Sequence, residues 1–522
     1  MPRLTDQLLL MAEHLGDQTG FVDLGSGGRL TFERWAQGGA DVAAGLARLG
    51  VVPGERVALH LPLEDPIRWV VAYAGIHMAG AVAVPLNPRL VGPELTALLG
   101  HAEVSVALTG GPGASVLLGV APSLPTLRHV IVGGEPVAAR AGAATVLRWE
   151  EAVAPGAPFP TSVPADEDDI ADIVYTSGTT GRPKGVVVRH ANSSLIPNGL
   201  PAWNGSGWLT SSPLFTFAGI TAVYNPMKLG MVALYLPRFD AKAWIEAVER
   251  ERPSMVFLVP AMAELLLADP GFATADLSSI GLAAVGSAPL APDTWRRLQA
   301  RMPAAAVSNA YGMTEAGPAF TVLPKEEAER RVGSVGRPLP PAEFFVVGKG
   351  GERLAAGEVG ELVIRLPGRP REYYRDPEAT AAVWHEDGLH TGDLARLDDD
   401  GYVYIVGRTK EVIIRGGNNV YAGDVEAVLY EHPAVAEATV AGVPHPVLGE
   451  DVAAWVVAAP DAIIDPVGLR DWSAERLAPH KVPRHITVVA SLPRNATGKV
   501  VRTQLPPAAE PLPRLSDRPE RA

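Results

Sequence analysis

The 522 residues exceed what one hydrophobic core usually supports, so at least two domains are expected, and 47% apolar with 20% charged residues fits folded globular domains. A net charge of -13 disfavours nucleic acid and anionic membrane as partners. The absence of cysteine excludes disulfides, thiolate metal sites and a thioester carried on the chain, so any thiol chemistry needs a thiol from outside.

Residues 1–14 are amphipathic, with an apolar run too short for a secretory signal, and read as a first helix. Thr31 resembles the cap of a second helix that runs to about Leu49. Strand patterns follow at 56–61, 81–85, 105–108 and 129–132. Residues 69–86 are the most membrane-like, yet His77, Gly75, Gly80 and Pro85 suit a buried helix turning into a strand. No membrane insertion is expected, and the protein is read as cytoplasmic. Further strands at 231–236, 255–259 and 281–285 alternate with helices at 244–251 and 292–301, an α/β pattern. Beyond Arg337 the texture becomes strand and turn, at 344–347, 360–365 and 401–406. A compact α+β unit follows, with strands at 412–414, 438–440, 453–457 and 486–489 and helices at 424–431 and 466–477. Residues 504–522 are Pro-rich and charged and are expected to be a disordered tail.

One stretch organises the chain: Tyr175-Thr-Ser-Gly-Thr-Thr-Gly-Arg-Pro-Lys-Gly-Val186 follows a strand-like run. Gly178, Gly181 and Gly185 let backbone N–H groups converge on an anion. Thr176, Ser177, Thr179 and Thr180 add hydroxyls, and Lys184 adds a mobile charge. Neither the P-loop pattern nor G-x-G-x-x-G is present. The twelve positions resemble the phosphate-binding signature of the adenylate-forming enzymes: acyl-CoA synthetases, peptide-synthetase adenylation domains and luciferases. Other matches occur in the family's order across roughly residues 28–502: Val285-Gly-Ser-Ala-Pro-Leu290, Ser308-Asn-Ala-Tyr-Gly-Met-Thr-Glu315, His390-Thr-Gly-Asp393, Gly407-Arg-Thr-Lys410 and Leu492-Pro-Arg-Asn-Ala-Thr-Gly-Lys499. Taken singly, most of these are ordinary turns or solvated charges.

The resemblance implies a large N-terminal domain of layered α/β sheets with a β-rich subdomain (1–407), a hinge (408–411) and a small mobile α+β domain (412–503). It implies ATP, Mg²⁺ and coenzyme A as cofactors, a small-molecule carboxylic acid as substrate and a monomer or homodimer. By resemblance Thr314 contacts the α-phosphate, Glu315 holds Mg²⁺ and Tyr311 lies along the adenine. Gly286, Ser287, Ala288, Asn309, Ala310, Gly312 and Met313 wall the nucleotide and acyl sites. Asp393 takes the ribose diol, Arg408 approaches the nucleotide and Lys410 occupies the hinge. Arg415, Gly416 and Gly417 border a pantetheine tunnel once the small domain has turned. Lys499 bridges the substrate carboxylate and the α-phosphate.

Two departures fall on the acyl side. In Ser212-Pro-Leu-Phe-Thr-Phe-Ala-Gly219, Thr216 stands where the family often has histidine or another bulky gate, and residues 190–212 are short and interrupted by proline and glycine where a long helix is usual. With Phe215, Gly219, Gly286, Ala288, Ala310, Gly317 and Ala319, these suggest a roomy pocket for a hydrophobic, bulky or long acid. An acyl-CoA ligase is the leading reading. A ligase loading a carrier protein, an enzyme running chiefly the thiol step on an adenylate made elsewhere, and a degenerate binding protein on the same fold remain open.

Overall fold

A computed structural model describes residues 3–134, 140–153, 155–158, 166–176, 184–194, 196–317, 321–494 and 499–512. Two large sheets form the bulk of the N-terminal part. In one, Ala306–Ala310, Leu282–Gly286, Met255–Leu258, Gly207–Thr210, Val232–Tyr235 and Thr19–Asp23 run parallel, and Arg29–Thr31 closes the edge by an antiparallel turn. In the other, Ile170–Thr176, Val82–Pro85, Arg56–His60, Val106–Gly110, His129–Gly133 and Ala144–Arg148 are parallel neighbours, with Lys184–Arg189 antiparallel at one edge. Parallel strands buried on both faces read as continuous apolar runs, which is why their positions were legible.

Helices Phe32–Arg48 and Pro66–Met78 lie in the largest core. Thr31 caps the first by accepting from the Arg34 N–H at 3.3 Å, and Asp65 caps the second through Arg68 N–H, also at 3.3 Å. Trp35 and Trp69 are fully buried there, and the Trp35 indole N–H donates to the Val70 carbonyl at 3.0 Å. Burying roughly 200 Å² of such a ring contributes about 5 kcal/mol at ~25 cal/mol per Å². The membrane-like stretch is therefore a core helix, and among the described residues no helix is long and apolar enough to cross a membrane.

An antiparallel sheet of Glu343–Val347, Gly360–Arg365, Gly388–Leu397 and Val403–Arg408, with Trp384–His385 at one edge, closes the large domain. A separate five-stranded sheet around Gly449–Ala458, backed by helices Ala422–Tyr430 and Pro466–Ala474, has its own core of Val425, Leu429, Val440, Val456 and Ile486.

Two segments depart from ordinary expectation. After a short 3₁₀ turn, His190–Asn192, the described chain has no helix or strand until Gly207. The first helix, Leu4–Leu15, packs against this segment: Gln7 bonds both the carbonyl and the N–H of Gly199 at 3.0 and 2.9 Å, and Asn198 donates to the Arg3 carbonyl at 2.8 Å. The tail also differs from its expected disorder as far as Leu512. The Trp455 indole donates to the Pro506 carbonyl at 2.9 Å, Ala509 N–H to Thr487 Oγ1 at 2.8 Å and Leu512 N–H to the Arg484 carbonyl at 2.7 Å. Backbone groups and a buried indole, which composition does not report, hold this stretch; residues 513–522 lie outside the described residues.

Candidate active site

Strand Ile170–Thr176 and its partner Lys184–Arg189 pair antiparallel, with Thr176 opposite Lys184. The two rims of the phosphate-cradle signature are thus held together, while Ser177, Gly178, Thr179, Thr180 and Gly181 lie outside the described residues. The Lys184 ammonium stands 4.7 Å from the centre of the Tyr373 ring, a cation–π contact. Tyr373 in turn donates its hydroxyl to Glu315 Oε1 at 2.9 Å. The cradle lysine and the expected metal carboxylate are therefore two sides of one tyrosine.

Strands Leu282–Gly286 and Ala306–Ala310 end side by side, Gly286 opposite Ala310, so their following loops share one crevice at the carboxyl edge of a parallel sheet. A Cβ at Gly286 would lie 2.6 Å from the Ala310 carbonyl oxygen, so only glycine fits. Ser287 then takes φ 68°, a conformation that turns the Ser287-Ala288 loop sharply out of the strand. On the other strand Asn309 is buried, and Tyr311, Gly312, Met313, Thr314 and Glu315 follow as a loop.

Tyr311 donates its hydroxyl to Asp393 Oδ2 at 2.6 Å, and Arg408 Nε reaches Asp393 Oδ1 at 2.8 Å. Burial, then the facing Asp393 carboxylate, push the Tyr311 phenol well above its usual range, so it remains a donor. Asp393 is 4% exposed, yet a carboxylate offers more acceptor sites than these two donors occupy. Arg408 ends strand Val403–Arg408; Lys410 follows, exposed, in the 3₁₀ turn Thr409–Glu411.

Lys499 comes from the small domain but feels the fields of Arg408, Asp393, Glu315 and Glu411. Lost hydration and then the Arg408 charge hold its ammonium below the usual lysine range, against the opposite pull of the three carboxylates, although part of the residue is open to solvent. Contacts thus join Lys184 through Tyr373 to Glu315, and Tyr311 and Arg408 to Asp393, while the charges of Arg408, Asp393 and Glu315 act on Lys499. Arg415 is placed within the small domain, donating to the Pro479 and His480 carbonyls at 3.1 and 2.9 Å and lying 2.8 Å from Asp451. Gly416 and Gly417 form an exposed hairpin turn beside it.

On the acyl side, two of the glycines behind the expected roomy pocket have local packing roles. Thr216 caps helix Phe217–Lys228: its hydroxyl accepts from Gly219 N–H at 3.1 Å and donates to the Pro213 carbonyl at 2.7 Å. A Cβ at Gly219 would meet that carbonyl oxygen at 2.1 Å, so glycine serves the tight cap rather than adding volume. Gly317, at φ 65°, faces the Arg371 guanidinium, whose carbon would lie 2.5 Å from an added Cβ. Phe215 is half-buried beside the cap, and Ala319 lies outside the described residues. Gly219 and Gly317 thus accommodate a backbone carbonyl and an arginine.

Arg371 went unnoticed in the sequence. It is 3% exposed, donates to the Thr314 carbonyl at 3.0 Å, to Asn192 Oδ1 at 3.4 Å and to the Asn192 carbonyl, and lies 4.2 Å over the Phe217 ring. Burial lowers its guanidinium to about 9, still charged at neutral pH, with Asp172 first among the opposing charges. The same segment pairs with the cradle strand through Val187 N–H to Glu372 O at 2.9 Å and Tyr374 N–H to Gly185 O at 2.7 Å. Its run Arg369-Pro-Arg-Glu-Tyr-Tyr-Arg375 was legible as dense charge and aromatics, but nothing in it specified burial.

Behind Arg371 lies a second group that the sequence did not reveal. Asp172, 1% exposed, stands 3.2 Å from His77 Nε2; Tyr73 packs edge-on to His77 and Tyr224, and His190 packs edge-on to His77. Among the described residues, the Tyr224 hydroxyl and Nδ1 of His77 and His190 are buried with no hydrogen-bond partner, while the Tyr73 hydroxyl faces the Asp172 carboxylate. Unmet polar atoms at this density mark a place where polar matter is accommodated.

The residues present fit the groups that the fold implies. Glu315 offers an oxygen ligand oriented by Tyr373, and Mg²⁺ takes one or two protein carboxylates before completing its shell with phosphate and water. The paired cradle rims, Asp393 and Arg408 suit a nucleoside polyphosphate.

Comparison with known proteins agrees with this geometry. The AMP-binding enzyme family matches residues 11–374, and the AMP-binding enzyme C-terminal domain matches 424–499. A feruloyl-CoA synthase from Amycolatopsis sp is 37% identical over 488 residues, covering 92% of this chain and 94% of that one. The 3-[(3aS,4S,7aS)-7a-methyl-1,5-dioxo-octahydro-1H-inden-4-yl]propanoyl:CoA ligase of Mycobacterium tuberculosis is 37% identical over 481 residues, covering 89% and 90%. ATP-bound MatB from Rhodopseudomonas palustris superposes with a TM-score of 0.83 at 28% identity, covering 96% and 97%. The chain belongs to the AMP-binding, adenylate-forming enzymes, as an AMP-forming acid–thiol ligase close to the acyl-CoA ligases.

Proposed function

We propose that the protein activates a hydrophobic carboxylic acid bearing an oxygen function on its body, and passes the acyl group to coenzyme A. The observation that carries this is the convergence of Lys499, Glu315 and Asp393 from two domains on one crevice. A carboxylate is a poor electrophile, because displacement at its carbonyl would expel oxide. In the first half-reaction its oxygen forms a bond to the α-phosphorus of ATP as the bond to pyrophosphate breaks. Lys499 offsets the repulsion between the two anions, Thr314 and Lys184 hold the phosphates, and Glu315 holds the magnesium. In the second, the CoA thiolate attacks the acyl carbonyl and AMP leaves. Residues 408–411 act as the hinge between the two steps, with Lys410 within it.

The polar group behind Arg371 supports the oxygen function, since the unmet Tyr224 hydroxyl can meet a carbonyl or hydroxyl on the acid. Two relatives, a feruloyl-CoA synthase and a ligase of a dioxo ring propanoate, bear names with oxygenated acids. The test is a panel of hydroxycinnamic, keto-alicyclic, plain fatty and short acids with ATP, Mg²⁺ and CoA, detecting both AMP and acyl-CoA. Oxygenated cyclic acids are expected to give the highest kcat/KM. Activation of acetate alone, or of plain fatty acids above all others, overturns the substrate class. AMP without acyl-CoA, relieved by a carrier protein, points to the carrier-loading reading. Acyl-CoA formed only from a supplied adenylate points to the thiol-step reading.

A further inference from the structure

Ahead of Asp393, the edge strand Trp384–His385 returns into Gly388–Leu397 through a two-residue turn, with His385 opposite Gly388 and Trp384 opposite Leu389. Side chains alternate along a strand, so Gly388 and His390 share a face, and His385 points to that face as well. Glycine at 388 is demanded by the backbone, because a Cβ would lie 2.7 Å from the Ile364 carbonyl oxygen. Its missing side chain lets the His385 ring close on His390, with ring centroids 4.1 Å apart and planes 30° off parallel.

His390 is oriented from behind. Glu361 accepts the Gly392 N–H on Oε1 at 2.9 Å and presents Oε2 to His390 Nδ1 at 3.2 Å. An ionised carboxylate only accepts, so Nδ1 carries the proton and Nε2 is turned to Asp387 Oδ1, 3.2 Å away. One ligand atom from each of His385, Asp387 and His390 lies within 4.8 Å of the others. Donors bound to a tetrahedral ion at ~2.0–2.1 Å stand about 3.3 Å apart, close to the His390–Asp387 spacing, and exposed His385 needs only a side-chain rotation to complete the set.

We propose that His385, Asp387 and His390 form a site for a divalent transition-metal ion, with water in the fourth position and Glu361 fixing the His390 tautomer. Two imidazoles and one carboxylate suit Zn²⁺ and its neighbours, whereas Mg²⁺ prefers all-oxygen shells. A carboxylate on the far nitrogen of a ligating histidine is the usual support for such a ligand. The site is separate from Glu315. It ties the edge strand to the start of the strand that carries Asp393, so the ion is expected to stiffen the ribose side of the crevice.

The test uses the full-length, untagged, chelator-stripped protein titrated with Zn²⁺ by calorimetry and with Co²⁺ by visible absorption. One equivalent bound per chain, with intense tetrahedral Co²⁺ bands, is expected. H385A and Asp387→Asn are each expected to weaken binding at least tenfold, with the Mg²⁺ dependence of pyrophosphate exchange unchanged. Both positions are at a surface turn, and unfolding curves on the same preparations are to verify that the variants fold. Absence of saturable Zn²⁺ binding, or wild-type affinity in both variants, overturns the proposal and leaves His390 as a hydrogen-bonding link between Glu361 and Asp387.

Discussion

Replacement of Arg371 by methionine is expected to leave the fold nearly as stable and to cripple the first half-reaction. Burial lowers the guanidinium from its usual range to about 9, so its charge is held there at a cost of about 5 kcal/mol, at ~1.36 kcal/mol per unit. Methionine returns that cost and keeps an apolar stem against Phe217. Against this stand the Thr314 and Asn192 carbonyls, at about 1–3 kcal/mol each when left unmade, and a less compensated Asp172. Gain and loss cancel to within about 2 kcal/mol, as is common when an apolar side chain replaces a buried charge. Catalysis has no such compensation. The Thr314 carbonyl loses the donor that pins its loop, and a misplacement near 1 Å costs about 10²-fold in rate. Acid-dependent pyrophosphate exchange, measured with denaturant unfolding on the same preparation, separates the two effects. R371K, which keeps the charge without the fork, is expected to fall as far as R371M. Exchange within threefold of wild type in folded R371M, or full rate in R371K, refutes the assignment.

Lys499→Ala should lower pyrophosphate exchange by about 10²–10³-fold while thioester formation from a supplied adenylate falls much less, since only the first step brings two anions together. Tyr373→Phe frees Glu315 from its 2.9 Å donor, and is expected to raise the Mg²⁺ concentration for half-maximal exchange several-fold. Buried His60 and His190 both have their folded pKa lowered from 6.5 to about 4, by loss of hydration first. Below pH 6.5 the unfolded chain binds protons that the folded chain refuses. The stability present above that pH is therefore lost as pH falls towards 4, by about 3 kcal/mol for each group. Denaturant midpoints from pH 7 to 4 should show this slope, halved in H60Q. Truncation after Gln504 should expose the Trp455 indole, shifting its fluorescence to the red and lowering the midpoint of the small domain, whereas truncation after Leu512 should do neither.

What the sequence disclosed and what it withheld follow from how each kind of information is written. Strands such as Leu282–Gly286 and Ala306–Ala310 are buried on both faces, so their apolar runs betray them, and the loops at their ends carry the polar motifs. Thr314, Glu315, Asp393 and Lys499 belong to local words whose order along the chain is itself the signal. Arg371 belongs to no such word. Its role depends on Gly317 having no side chain, on Asn192 arriving from a shortened segment and on Phe217 starting a helix. None of these three is within fifty positions of it in sequence.

Glycine on the acyl side is ambiguous in sequence for the same reason. A small residue in a sequence is consistent with empty space, with close backbone approach or with a left-handed turn. At Gly219 the Pro213 carbonyl decides for close approach; at Gly317 a left-handed φ and the Arg371 guanidinium decide together. Composition counts all three alike, because the atom that fills the space belongs to another segment. The tail makes the converse error visible. Its residues lack apolar periodicity, but the groups that hold it are backbone N–H and C=O, which every sequence contains. The substrate side of this enzyme is therefore written in contacts between distant segments, and the shortened stretch after His190 matters through its partners: Gln7 at one end, Arg371 at the other.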